Sequence, residues 1–134
     1  MAKYGSPSVT ITWNSVDITQ YVIDINDIDI ESLMEESHTF GDSWFESTAV
    51  GMRKMADIKI KGFYDDTAVS GPNALFVTTA AGPSTAAQNL VVTYGGSKTT
   101  TIPCLIQKYS RKLDRGKLHK FEVTLQPTGT VTEA

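Results

Sequence analysis

The sequence has a single cysteine and no long apolar run, and these two shortages exclude several classes of protein. Cys104 cannot form an internal disulfide, and its apolar neighbours Ile102 and Leu105 predict a buried thiol rather than a nucleophile. No apolar stretch approaches the roughly 20 residues that cross a bilayer, and the first residues lack the apolar core of a signal peptide. We therefore expect no disulfide framework, no membrane span and no export signal.

Basic residues are missing from a long part of the chain. Between Asp17 and Glu46 the sequence has nine acidic residues and no lysine or arginine. Between Lys98 and Lys120 the balance reverses, with seven basic residues against Asp114 alone. A solvated surface of mixed sign is the simpler interpretation of this division, and complementary faces that meet between identical copies are the alternative.

Catalytic motifs are scarce as well. Gly41-Asp42-Ser43 is similar to the start of some serine esterases, but those enzymes need a histidine and an acidic partner late in a much longer chain. The two histidines here are His38 and His119, and the acidic residue nearest to His119 is Asp114, in a predicted turn. We expect Ser43 to be a polar loop residue and the protein not to be an enzyme.

Patterns that bind metal, phosphate or nucleic acid are also missing. The acidic run lacks the ligand spacing of a calcium loop, and His38 beside Glu35 and Glu36 is more simply a solvated side chain. Gly95-Gly96 has no following Lys-Ser or Lys-Thr, which a phosphate loop requires. The basic C-terminal part contains Tyr109, but the net charge is −3 and no motif that reads nucleic acid is present. We expect no cofactor, no metal and no tight DNA binding.

What the chain does have is the periodicity of β-strands. Val9, Ile11 and Trp13 alternate with polar residues, and Ile58 and Ile60 alternate with lysines. Three further patterns predict strands: residues 21–31 with a phase slip at Asn26 and Asp27, two strands joined by Gly95-Gly96, and a last strand with Phe121, Val123 and Leu125. The 134 residues suffice for one buried core, and we predict a mainly β single domain over residues 1–134.

One helix is predicted between residues 71 and 83. Pro72 stands near its start and Gly82-Pro83 lies past its end, which is the usual asymmetry of these residue types. Leu75, Phe76 and Thr79 would form its inner face. The tail from residue 128 onward is expected to be loose.

The segment from Glu35 to Ala56 has neither clean alternation nor a clear helix terminus. It places five large apolar residues among glycines and polar residues: Phe40, Trp44, Phe45, Met52 and Met55. A loop of some 20 residues is uncommon in a compact domain and is usually functional where it occurs. The alternative is a short amphipathic helix from about Trp44, with an apolar stripe made by Phe45, Ala49, Met52 and Met55.

Read from end to end, the order of elements resembles that of tail tube proteins of long-tailed phages. The likeness covers nearly the whole chain: a strand, DITQYV, an acidic strand, ESHTFGDSWFESTAVGMRK, IKIKGFYDD, a helix and three strands. The most distinctive sequence segments in this likeness are ESHTFGDSW and GFYDD. That family, related in fold to the type VI secretion tube protein, builds a β-sandwich or barrel with one flanking helix and a long inter-strand loop. The resemblance implies the same fold here.

The resemblance also implies roles for three sets of residues. The long loop would reach into a neighbouring ring with Phe40, Asp42, Trp44, Phe45, Met52, Arg53 and Lys54. An acidic strand face would line the lumen of the tube with Asp24, Asp27, Asp29 and Glu31. A basic face would bind the acidic side of another copy with Lys108, Arg111, Lys112 and Arg115.

The function implied by this resemblance is structural. Hexameric rings of the subunit would stack into a hollow tube through which DNA passes into the host without specific binding. The implied partners are further copies of the chain and the tail tip or initiator, tape measure and terminator proteins, in a virion assembled in the host cytoplasm. Two alternative functions are compatible with the sequence: a tail terminator of related fold, and an Ig-like or lectin-like adhesion module that stacks Trp44 and Phe45 on a sugar or partner.

Overall fold

The computed structural model describes residues 9–37, 39–41, 43–68, 70–77 and 82–134. These residues form mainly β structure with one short α-helix, and the predicted fold class is confirmed. The elements are β1 (Thr10–Trp13), β2 (Val16–Asp17), β3 (Val22–Ile25), β4 (Ile30–Glu36), β5 (Ser47–Met55), β6 (Ile58–Phe63), α1 (Pro72–Phe76), β7 (Gln88–Gly95), β8 (Lys98–Lys112), β9 (Lys120–Pro127) and β10 (Thr132–Glu133).

Eight of these strands form one antiparallel sheet. Its order is β2-β1-β7-β8-β9-β6-β3, and β10 pairs with β8 beside this path. The 15-residue strand β8 joins two halves of the sheet, because its first part pairs with β7 and its second part pairs with β9. Leu90 lies opposite Ile102 in the first half, and Val123 lies opposite Tyr109 in the second.

Two turns in the sheet have the backbone conformation of a tight hairpin. Asn14 and Ser15, between β1 and β2, have φ values of 48° and 67°. Gly96 and Ser97, between β7 and β8, have φ values of 59° and 65°, so this turn lies one residue beyond the predicted Gly95-Gly96, and Gly95 pairs with Lys98. Positive φ at both central positions matches the twist of a two-residue hairpin, which is why asparagine and glycine are favoured there. These turns set the register that brings Ile11 and Trp13 into the core.

The core lies where the two halves of the sheet and the helix meet. Ile58 and Ile60 of β6 are fully buried while the intervening Lys59 is exposed, as the alternation predicted. An aromatic cluster connects the two halves: the ring of Phe76 on α1 lies 5.6 Å from Trp13 of β1 and 5.9 Å from Phe121 of β9. Aromatic rings at these separations add about 0.5–1.5 kcal/mol per pair beyond simple burial.

The helix is shorter than the sequence pattern suggested. It starts at Pro72, as predicted, but ends at Phe76, and Val77 already has a non-helical conformation. Leu75 and Phe76 form the predicted inner face and are buried. Thr79, the third residue of that prediction, lies outside the described residues.

The segment 27–56 is a compact unit of its own, and its conformation is largely extended. β4 and β5 pair as an antiparallel hairpin, so most of the long inter-strand segment is strand rather than irregular loop. The alternative prediction of an amphipathic helix from about Trp44 is wrong, since residues 47–55 are extended. The register shifts between Ser32 and Met34, where β5 accommodates extra residues around Gly51 at φ 81°. This bulge interrupts the period of two and hid the strand in the sequence.

The C-terminal tail is also more ordered than predicted. Thr132 and Glu133 pair with Thr101 and Thr100 of β8, and the backbone nitrogen of Ala134 donates to the carbonyl oxygen of Thr99 at 2.9 Å. The prediction of a loose tail is therefore wrong for its last residues. Their backbone groups find partners on an otherwise open stretch of β8, which favours the paired state.

Candidate assembly interfaces

The hairpin formed by β4 and β5 exposes an unusual number of large apolar side chains. Trp44 is 83% exposed and Phe45 is 85% exposed, both in the connection between the two strands. The remaining exposed large apolar side chains of this unit are Ile30, Met34, Phe40, Val50 and Met52. Soluble monomers rarely expose large contiguous apolar patches, and where such surface occurs it commonly marks a binding site. The hairpin is therefore the first candidate interface.

The residues assigned to the inter-ring contact fall in two parts of this hairpin. Phe40, Trp44 and Phe45 lie in its tip, between β4 and β5, and are exposed. Met52, Arg53 and Lys54 lie on β5, with the Lys54 Nζ atom 3.8 Å from the Glu31 Oε2 atom. Both of these charged side chains are more than half exposed, and such pairs contribute little to stability. Asp42 lies outside the described residues.

The four acidic residues assigned to a lumen are all exposed but do not share one strand. Asp24 is in edge strand β3, where it lies opposite Lys61. Asp27 and Asp29 are in the connection that follows, and Glu31 is in β4 opposite Lys54. The phase slip seen in the sequence at residues 26–27 is the end of β3 rather than a bulge within one strand. The Asn26 side chain fixes this exit, with its amide nitrogen 2.9 Å from the Asp57 carbonyl oxygen.

The four basic residues assigned to one face are divided by the register of β8 and β9. Lys108 lies opposite Thr124 and Lys112 opposite Lys120, whereas Arg111 lies opposite Phe121 on the other side of the sheet. Arg115 follows β8 in the turn that leads to β9. Successive residues of a strand point to opposite faces, and this division follows from their spacing. The prediction of one basic face is therefore wrong for Arg111.

Arg111 instead lines a pocket on the inward-facing side of the sheet, beyond the end of the buried core. The pocket, called here the core-end pocket, has a volume of about 640 Å³ and is lined by Tyr64, Tyr109, Arg111, Leu113 and His119. The pairing register of β6, β8 and β9 explains why these five residues line one pocket. The backbone nitrogen of Tyr64 donates to the His119 carbonyl oxygen at 3.0 Å, continuing the row of β6 and β9 residues that includes Ile60 and Val123.

The side chains of the core-end pocket are organised by aromatic contacts. The Arg111 Cζ atom lies 5.8 Å from the centre of the Tyr109 ring, and the rings of Tyr64 and His119 are 6.4 Å apart. Tyr109 also stacks on Phe76 and Phe121 at 5.7 and 6.0 Å, which anchors the pocket to the core. Burial raises the pKa of Tyr109 to about 12, although Arg111 acts in the opposite direction. The phenol therefore remains a protonated hydrogen-bond donor at neutral pH.

The sequence alone does not reveal the core-end pocket. Its members come from separate places in the chain, and only the register of β6, β8 and β9 brings them together. The available signal was the spacing of Tyr109, Arg111 and Leu113, which puts a cation on the inward side of a strand.

The remaining reactive groups in the described part of the chain offer little chemistry. Within residues 9–37, 39–41, 43–68, 70–77 and 82–134, no three metal-ligating side chains come together. Cys104 is fully buried, and its burial raises the pKa of the thiol to about 12. Ser43 is exposed in the hairpin tip, and His38 lies outside the described residues. None of the helices described is long and apolar enough for a membrane span.

Neither a model of a known protein family nor the sequence of a curated protein matches this chain. Solved structures, however, match it over nearly its full length. A chain in the tail of an empty gene transfer agent particle, refined with helical C6 symmetry, has a TM-score of 0.69 at 14% identity and covers 99% of both chains. A chain in the virion of the native gene transfer agent particle has a TM-score of 0.73 at 13% identity, again covering 99% of both.

An injection apparatus provides a further match. A chain in an extracellular contractile injection system, in a structure of the PVC sheath/tube terminator in the extended state, has a TM-score of 0.74 at 8% identity and covers 100% of this chain and 98% of that one. Identities this low establish the fold and nothing finer. The resemblance noted in the sequence is confirmed at that level: this chain has the fold found in phage-like tails and contractile injection systems.

Proposed function

We propose that this protein is a structural subunit, without enzymatic activity or cofactor, that assembles into rings stacked as the hollow tube of a phage-like tail. The observation that carries the proposal is the hairpin of β4 and β5, whose large apolar side chains Met34, Trp44 and Met52 are 61%, 83% and 65% exposed in the single subunit. Burying such surface between copies supplies the main driving force of association. The shared fold with chains of tail particles supports the same conclusion.

Two kinds of contact between copies would be needed. A sideways contact between different surfaces closes into a ring, and an axial contact between different surfaces continues as a filament. Among the described residues, β2 and β3 have no strand on their outer sides, so these two sheet edges are candidates for the sideways contact. The hairpin, with Phe40, Trp44, Phe45, Met52, Arg53 and Lys54, serves the axial contact in this proposal. Six copies per ring agrees with the C6 symmetry of the related tail.

The lumen of such a tube must let DNA slide. Asp24, Asp27, Asp29 and Glu31 are exposed, and we assign them to the inner wall. Carboxylates repel phosphates, so they offer the passing DNA no strong binding positions, whereas a wall of lysines would retain it. The basic side chains Lys108, Lys112 and Arg115 would then face neighbouring copies rather than the channel. Tail tip or initiator, tape measure and terminator proteins complete the proposed virion, and the subunit is made in the host cytoplasm.

A tail terminator is the second candidate, and one observation favours it. The structure with the highest TM-score among those compared above shows a sheath/tube terminator assembly. A terminator closes the end of a tube and needs only one axial contact, whereas a tube subunit needs two. The two candidates therefore differ in whether rings stack.

Electron microscopy of the purified, concentrated protein, with its mass from light scattering, tests the proposal. Stacked rings or tubes are expected for a tube subunit, and single rings for a terminator. A monomer at every concentration, with or without a tail initiator complex, would contradict both and favour an adhesion module.

A matched pair of variants tests the role of the hairpin. Trp44→Ser with Met52→Ser removes exposed apolar area and should raise the concentration needed for assembly at least tenfold, about 1.4 kcal/mol per contact. Trp44→Phe with Met52→Leu keeps the apolar area at the same positions and should assemble like the wild type. Equal assembly by the two variants would show that the hairpin is not the axial contact.

A further inference from the structure

The core-end pocket is a polar end to an otherwise apolar sheet face. Along the inward-facing rows of β6, β9 and β8, Ile60, Val123 and Tyr109 are followed by Gly62, Phe121 and Arg111, and then by Tyr64, His119 and Leu113. Gly62 has no side chain, and the Phe121 ring lies against it, only 2.7 Å from where a Cβ would stand. The phenylalanine therefore covers the glycine, and the space in front of Arg111 stays open as the pocket of about 640 Å³.

The donors in this pocket select the chemistry of a ligand. Arg111 presents a guanidinium group, which binds carboxylates through two parallel hydrogen bonds. The hydroxyl oxygen of Tyr109 is shielded from solvent and has no hydrogen-bond partner among the described residues, and an unpaired buried polar group of this kind is unfavourable. Tyr64 and Leu113 add apolar walls beside these polar groups. A carboxylate on an apolar stem suits this combination of groups.

Charge complementarity identifies where such a carboxylate would come from. The hairpin unit 27–56 has seven acidic residues against Arg53 and Lys54, while the stretch 108–120, which supplies four of the five pocket residues, has six basic residues against Asp114. At the distal end of the hairpin, the exposed residues Glu35 and Glu46 flank the exposed aromatic tip that contains Trp44. The tip therefore offers carboxylates beside apolar surface, which matches the cation and the apolar walls of the pocket.

We infer that the core-end pocket receives the acidic hairpin tip of a second copy of this chain, with Arg111 binding Glu35 or Glu46. This inference rests on the proposed self-assembly and gives its axial contact a receptor. The pocket binds the carboxylate, Tyr64 and Leu113 pack against the aromatic tip, and the net positive charge of residues 108–120 attracts the acidic hairpin before contact. Each copy carries one tip and one pocket, so the contact is head to tail and can continue along a filament.

Charge exchange tests this contact in the full-length protein. Arg111→Glu should raise the critical concentration for assembly at least tenfold, because it places two carboxylates together. Lys98→Glu, with the same change in net charge at the exposed first residue of β8, should leave it within about twofold. Adding Glu35→Arg and Glu46→Arg to Arg111→Glu should restore assembly to within about threefold of the wild type. Circular dichroism checks that each variant folds, and Arg111→Gln replaces Arg111→Glu if the latter does not.

The outcomes separate this inference from the proposed function. If the wild type forms stacked rings and Arg111→Glu or Arg111→Gln assembles equally well, the pocket is not the receptor while the tube proposal stands. If assembly is lost and the charge exchange fails to restore it, the hairpin carboxylates are not the partners and the inference is overturned. If the wild type forms no rings or tubes under any condition, both fail together.

Cross-linking gives a positional test that does not depend on charge. A protein with Leu118→Cys, next to the pocket, is mixed with a protein carrying Ser47→Cys, next to Glu46, and treated with a bismaleimide after assembly. The native Cys104 is fully buried and will not compete. Cross-linked dimers are expected from this mixture and not from a mixture of Lys98→Cys with Ser47→Cys. Equal yields from the two mixtures would overturn the inference.

Discussion

At Gly62, near the end of β6, the chain leaves no room for a side chain. A Cβ atom there would stand 2.1 Å from the Tyr21 carbonyl oxygen and 2.7 Å from the Phe121 ring. Gly62→Ala should therefore destabilise the fold by about 1–3 kcal/mol, measured by urea unfolding, since either the backbone of Tyr21 or the core ring must move. Gly41→Ala is the control, because its nearest neighbour is 3.8 Å away. Equal stabilities of the two variants would refute this account of the glycine.

The thiol of Cys104 provides a second prediction for a single residue. Its side chain is fully buried, and burial raises the pKa of the thiol to about 12, because the thiolate would lose its hydration. At pH 8 a thiol reagent should therefore react only as fast as the protein unfolds, and addition of urea should accelerate the reaction. In the unfolded chain the thiol ionises near a pH of about 8.5, so folding stability should fall as the pH rises from there toward about 12. Rapid labelling of the folded protein at pH 8 would contradict this burial.

Among the elements, the strands with one buried face were predictable from the sequence alone. Ile58 and Ile60 alternate with Lys59 and Lys61 because one face of β6 meets the core and the other meets solvent. The same rule found Ile11 and Trp13 of β1. The hairpin turn between β7 and β8 was predictable to within one residue because positive φ restricts which residues fit, as at Gly96. These features depend on short stretches of chain.

The elements that the sequence concealed depend on partners far along the chain or on further molecules. In β5 all residues from Ser47 to Lys54 are exposed, so no buried face imposes alternation, and the bulge at Gly51 shifts the register as well. The core-end pocket needs the long-range pairing of β8 with β9, which places Arg111 opposite Phe121. Composition showed that residues 108–120 are basic, but only register shows which of the cations share a face.

The terminal strand β10 leads to a prediction at the scale of an element. The Glu133 Oε1 atom accepts a hydrogen bond from the buried Thr100 hydroxyl at 2.8 Å, and Tyr94 contacts the same hydroxyl at 2.7 Å. Removal of residues 131–134 should cost about 1–3 kcal/mol in thermal or urea unfolding, since it leaves a buried polar group with fewer partners and uncovers an edge of β8. Glu133→Gln keeps an acceptor and should cost less. A truncated chain as stable as the full one would show that the tail does not support the sheet.

For the whole molecule, the division into two compact units connects the fold with the proposed assembly. The sheet unit, residues 1–26 and 57–134, contains the core residues Trp13, Phe76 and Phe121 and is stabilised within one copy. The hairpin unit, residues 27–56, has no fully buried residue among those described. Apolar burial is the main source of stability in folded proteins, so the hairpin unit has little of its own. An assembly contact would supply what the single copy lacks.

Hydrogen exchange should display this difference directly. In the free subunit, the paired amides of β4 and β5 should exchange much faster than those of β8 and β9, because a hairpin without buried side chains opens locally at low free-energy cost. In the assembled state the hairpin amides should become protected by at least tenfold, while the amides at the centre of β8 change little. Mass spectrometry of the two states at one pH and temperature measures both effects. If the hairpin amides of the monomer are already as protected as those of β8, the hairpin is stabilised within one copy. If they gain no protection in the assembly, different surfaces hold the copies together.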